Sequence, residues 1–137
     1  MKRALIVAVL AVGFAAPAHA ADPNALGTYE FKAGSVSSTW LVTPCTDDTD
    51  HCVHVASTGM AGQQPWNGDA YWSVGSWILK VEQPDAITCN DGVAHPGLMT
   101  YSWDAATFSG WAGLYNPGVC DGKPGSIAAP FTLTRTA

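Results

Sequence analysis

Apolar residues recur every second position along most of residues 27–135, and no stretch long enough for a globular helix carries an apolar stripe at 3.6-residue spacing. A helix without such a stripe has no face to bury, so the chain is read as strands. In Gly27-Thr28-Tyr29-Glu30-Phe31-Lys32 the side chains alternate, which turns Tyr29 and Phe31 inward and Glu30 and Lys32 to water. Further runs fall at 38–43, 52–55, 69–74, 76–82, 86–89, 98–103, 108–115 and 131–135. In 76–82, Trp77, Leu79 and Val81 share one face while Lys80 and Glu82 share the other.

Turn chemistry separates these runs. Gly75-Ser76 suits a tight turn, Asn90-Asp91-Gly92 suits a turn with positive φ, and Asp104-Ala105-Ala106-Thr107 joins two arms of a hairpin. Gly- and Pro-rich connections fill 59–68 and 118–125. Eight or nine short strands at intervals of about ten residues predict an all-β fold: a small antiparallel up-and-down barrel of about eight strands, with a β-sandwich as the alternative. Closure into a barrel removes the exposed edges that strands as apolar as 77–81 would otherwise offer for aggregation.

The N-terminus reads as a cleavable leader. Lys2 and Arg3 precede an uncharged apolar run, and Ala18-His19-Ala20 supplies the small-x-small pattern of a signal peptidase site, so cleavage is expected after Ala20. An apolar run of about 13–15 residues spans only about 20 Å as a helix, too short for a hydrocarbon core of about 30 Å. The leader is thus expected to occupy residues 1–20 and a single domain residues 21–137, secreted or held in the envelope, with no integral membrane span. The first cysteine, Cys45, lies far from the cleavage point and offers no site for N-terminal acylation.

Four cysteines form an even set in a small exported chain, which favours two disulfides over metal or free thiols. Three pairings are possible. Sequence neighbours are the preferred solution, Cys45 with Cys52 across a polar hexapeptide and Cys89 with Cys120. Net charge at neutral pH moves from −5 for the whole chain to about −7 once Lys2 and Arg3 are removed, and the remaining cations do not cluster. Nucleic acid and anionic lipid surfaces are therefore poor partners.

Motifs of hydrolytic chemistry are missing. There is no G-x-S-x-G elbow and no H-E-x-x-H helix, and the cysteines are committed to bridges, so no catalytic residue and no cofactor is assigned. A carboxylate pair such as Asp69 with Glu82, acting in a hydrolase, is the remaining enzymatic reading. The cluster Asp47, Asp48, Asp50, His51 and His54 lacks the spacing of a calcium loop, and His51 and His54 should fall on opposite faces of a strand, which leaves a solvated acidic loop rather than a metal site.

Six tryptophans are the most unusual feature of the domain. Trp40, Trp77 and Trp103 sit on alternating apolar faces and suit the core. Trp66 lies in the polar run Gln63-Gln64-Pro65-Trp66-Asn67-Gly68, read as an exposed loop, and is the first ligand-contact candidate, followed by Trp72, Trp111 and Tyr71. The function expected is non-enzymatic binding of a small apolar or aromatic ligand. The alternative is an envelope-associated protein-interaction module with a filled core.

Thr39-Trp40-Leu41-Val42-Thr43-Pro44-Cys45, Cys52-Val53-His54-Val55, the 101–107 hairpin and the terminal Phe131-Thr132-Leu133-Thr134-Arg135 together resemble a group of small exported proteins of mycobacteria. That resemblance implies a home in the envelope or culture medium and carries over no catalytic residue. Gly27-Thr28-Tyr29 is also similar to the G-x-W of lipocalin-like barrels, with tyrosine in place of tryptophan. The likeness implies that Arg135 on the last strand packs across an aromatic ring near the first, Tyr29 or Trp40.

Overall fold

The computed structural model describes residues 25–46 and 51–136. The leader read at 1–20, and Asp47, Asp48 and Asp50 of the acidic loop, lie outside the described residues. Eight strands form the domain: β1 (Gly27–Ala33), β2 (Val36–Pro44), β3 (Cys52–Ser57), β4 (Trp66–Ser73), β5 (Ser76–Thr88), β6 (Ala94–Asp104), β7 (Ser109–Asn116) and β8 (Gly125–Arg135). Each pairs antiparallel with its sequence neighbours, and β1 pairs with β8, so the sheet closes as an up-and-down barrel rather than a sandwich. Both bridges join sequence neighbours, Cys45–Cys52 and Cys89–Cys120. Among the described residues no helix is long and apolar enough to cross a membrane.

Strands β6 and β8 begin earlier than the runs expected at 98 and 131, at Ala94 and Gly125. Three further boundaries move, each for a stateable reason. The runs 76–82 and 86–89 are one strand, β5, whose register on β6 shifts between Gln83 and Ile87. A bulge there breaks the alternation without ending the strand. The β4–β5 turn is Val74-Gly75 rather than Gly75-Ser76: both residues have positive φ, 43° and 88°, and Ser73 faces Ser76. Two successive positive-φ residues give the hairpin the hand of the sheet twist. Finally, β4 begins at Trp66, three residues before the apolar alternation becomes visible. Small Gly68 and Ala70 occupy the intervening inward positions, and a Cβ on Gly68 would come within 2.9 Å of Leu79 Cδ1.

The interior is aromatic. Trp40, 1% exposed, lies at its centre, with Phe31 stacked on it at 4.9 Å and Tyr101, Trp66 and Trp103 meeting it edge-on at 5.3–5.6 Å. Trp66 in turn stacks on Tyr101 at 5.2 Å. Gly110 lets β7 approach the β6 backbone closely: a Cβ there would lie 2.7 Å from the Trp103 Cα. Gln83, 2% exposed, donates from Nε2 to the Tyr101 hydroxyl at 2.9 Å, and burial pushes the Tyr101 phenol up to about 12. The phenol is therefore neutral across the physiological range, as a buried hydroxyl with a fixed partner should be.

Closure is locked where first and last strands meet. Tyr29 opposes Arg135. The Arg135 guanidinium carbon sits 4.9 Å from the Tyr29 ring centre, Nη2 donates to the Tyr29 hydroxyl at 2.9 Å, and Nη1 donates to the Leu26 carbonyl at 2.7 Å. Gly27 makes this possible: its φ is +137°, and a Cβ there would run into Arg135 Nη1. Gly27→Ala should therefore cost about 1–3 kcal/mol, combining a backbone conformation that L-residues avoid with displacement of the guanidinium. The urea midpoint should fall with an unchanged m-value.

Candidate ligand-binding groove

The β2–β3, β4–β5 and β6–β7 connections, with Arg135 at the end of β8, lie at one end of the barrel. At this end the aromatic interior reaches solvent. Trp72 is the last inward-facing residue of β4; it packs edge-on against buried Trp77 at 5.2 Å yet remains 41% exposed. The Trp77 indole N–H, buried behind that wall, has no acceptor among the described residues.

Opposite Trp72 the β6–β7 turn brings in a second ring. Asp104 Oδ1 accepts from the N–H groups of Ala106 at 2.7 Å and Thr107 at 2.9 Å, and the Phe108 N–H returns to the Asp104 carbonyl at 2.9 Å. These backbone N–H bonds, Thr107 first and Ala106 next, hold the exposed Asp104 carboxyl below the usual aspartate range, so it is ionised at neutral pH. The turn ends with Phe108 at a φ of 60°, which places its ring on Tyr29 at 5.5 Å. Trp72, Phe108, Gly75, Asp104, Ala105, Ala106 and Arg135 line an open groove of about 710 Å³. It offers two aromatic walls with one carboxylate and one guanidinium at the rim, a size and mix suited to a small ring-bearing molecule.

The four residues expected to contact a ligand do not converge. Trp66 corrects the reading of an exposed loop, being 8% exposed and enclosed by Trp40 and Tyr101. Trp72 lines the groove. Tyr71, its neighbour, points to the outer face of β4 opposite Cys52 and is 53% exposed in a separate cleft. Trp111, 59% exposed, stands on the outer wall between Ser102 and Pro130. Sequence reasoning missed Phe108 as a groove residue. Its signal was an aromatic directly after an Asp-initiated turn, which local propensity does not mark as a positive-φ position.

Other surface features fall elsewhere. An apolar hollow of about 370 Å³ at the opposite end is lined by Ile87, Leu114 and Ile127. Asp69 does not pair with Glu82; its carboxylate accepts from, or ion-pairs with, His54 Nδ1 at 2.7 Å on the outside of the barrel. Compared with family models, with curated proteins and with solved structures, the chain matches none.

Proposed function

We propose that this is an exported, non-enzymatic binding protein that takes a small apolar or aromatic ligand in the groove between Trp72 and Phe108. The observation carrying this reading is that the aromatic interior is filled by stacked rings, whereas Trp72 leaves its indole face open beside a cleft of ligand size. A filled barrel cannot take a ligand into its lumen without displacing Trp40 or Trp66, so capture belongs at the open end. Two disulfides suit an oxidising compartment, in agreement with cleavage after Ala20 and release from the cell.

Native mass spectrometry of the mature protein from its host, followed by organic extraction, tests the reading. A stoichiometric co-purified metabolite or lipid is expected. In a fluorescence titration with that compound, or with the apolar dye 1-anilinonaphthalene-8-sulfonate, Trp72→Ala should raise Kd at least ~10-fold, equivalent to about 1.4 kcal/mol, while Trp111→Ala leaves it unchanged. Equal affinity in Trp72→Ala would refute the groove.

A second reading has its own observation. Trp111, Tyr115 and Leu98 are 59%, 45% and 41% exposed on the outer face, with Leu98 paired to Tyr115 across β6 and β7. A patch of this kind outside a filled core fits an envelope-associated interaction module. Loss of a co-purified protein in Trp111→Ala, with small-molecule binding absent, would favour it.

A further inference from the structure

The cleft beside Tyr71 gathers chemistry that ligand capture at the groove does not use. Thr43, His54 and Asp69 lie side by side on β2, β3 and β4 in successive register pairs. His54 Nδ1 is 2.7 Å from Asp69 Oδ1. Next to them, the two sulfurs of the Cys45–Cys52 bridge and an Asp69 carboxylate oxygen all lie within 4.8 Å of one another. This cleft, of about 400 Å³, also takes in Thr46 and Tyr71.

We propose that the Cys45–Cys52 bridge masks a metal site: once a thiol reductant opens it, both sulfurs and the Asp69 carboxylate bind a zinc-class divalent cation. Zinc holds thiolate sulfur at about 2.3 Å and carboxylate oxygen at about 2.1 Å, so tetrahedral ligation needs sulfurs about 3.8 Å apart and sulfur–oxygen separations of about 3.6 Å. With the sulfur–sulfur bond gone the two sulfurs must part to about 3.8 Å, and the Asp69 oxygen, within 4.8 Å of both, need close by about 1.2 Å at most. His54 is a positioning residue, fixing one carboxylate oxygen and leaving the other for the metal, as outer partners of metal ligands commonly do. The fourth position opens onto the cleft.

The chemistry balances with a monothiol as reductant. One thiolate attacks Cys45 Sγ, the more exposed of the two buried sulfurs, and Cys52 leaves as thiolate. A second thiol resolves the mixed disulfide at the reductant's sulfur and frees Cys45. The reductant is oxidised to its disulfide, the bridge gains two electrons and two protons, and the cation displaces both thiol protons to water.

Cobalt(II), whose tetrahedral thiolate complexes absorb in the visible, is the probe. The oxidised protein should take up none in this geometry. After reduction, one equivalent should bind with thiolate-to-cobalt charge-transfer bands. C45S/C52S, which keeps only the Cys89 and Cys120 thiols, should lose the bands. D69N should weaken binding at least tenfold, and His54→Gln, which retains a donor for Asp69, should bind more tightly than His54→Ala. If reduction loosens the fold, cobalt should restore the native tryptophan emission. The proposal is overturned if reduced protein takes up no cobalt, if loosened protein is not restored by it, or if C45S/C52S or D69N binds as well as the parent chain.

Discussion

Replacing Trp40 by alanine is expected to cost about 3–5 kcal/mol of folding stability, the largest loss from any single core substitution in this domain. Trp40 is 1% exposed and packs against Phe31, Trp66, Tyr101, Trp103 and Phe131, with ring centres 4.9–5.8 Å away. Its removal takes away the transfer free energy of a whole indole and leaves a hole that cannot collapse, because the surrounding rings are anchored on four different strands. A small domain holds only about 5–15 kcal/mol in total, so the variant should be partly unfolded at 37 °C. Trp40→Phe keeps most of the volume and should lose less than half as much. Guanidinium unfolding of both variants checks the order.

The two disulfides should differ in worth, and in a predictable sense. Cys89–Cys120 closes a loop of 31 residues, Cys45–Cys52 one of 7. In the chain-entropy account these restrict the unfolded chain by about 3.7 and about 2.4 kcal/mol, a difference of about 1.3 kcal/mol. Their native settings point the same way. Cys45–Cys52 links β2 and β3, which already pair from Trp40 to Pro44, whereas Cys89–Cys120 ties the β5–β6 connection to the β7–β8 connection, which share no ladder. C89A/C120A should therefore unfold at a lower denaturant concentration than C45A/C52A. The reverse order would mean that strain or residual structure in the unfolded chain outweighs loop length.

Much of the fold was legible because the signals were local. Period-two alternation at Tyr29 and Phe31, the Asp104-initiated turn and the even cysteine set each act through residues close in sequence, and together they lead to a closed barrel with neighbour-paired bridges. The start of β4 moved because small residues blurred the pattern. Gly68 and Ala70 give no apolar signal, yet they are the inward positions that let Trp66 enter the core, so a buried tryptophan read as a loop residue. The groove was half legible. Trp72 could be singled out as a tryptophan, and contact between Arg135 and the Tyr29 ring was expected and is present. That Trp72, Phe108 and Arg135 meet at one end depends on closure of β1 on β8 and on positive φ at Val74 and Phe108, which are properties of the assembled barrel. The pairing of His54 with Asp69 is likewise set by β3–β4 register, fifteen residues apart in sequence.

The account's central claim is that ligand is met at the open end and not in the lumen, and six tryptophans make it directly observable. Each indole N–H gives its own signal in a ¹H–¹⁵N correlation spectrum of the mature protein, and single Trp→Phe variants assign them. Titration with the co-purified compound, or with 1-anilinonaphthalene-8-sulfonate, should shift the Trp72 signal most, with Trp77 following through its edge-on contact, while Trp40, Trp66 and Trp111 stay in place. Shifts centred on Trp40 and Trp66 would mean that the barrel opens to admit its ligand, and would contradict the groove.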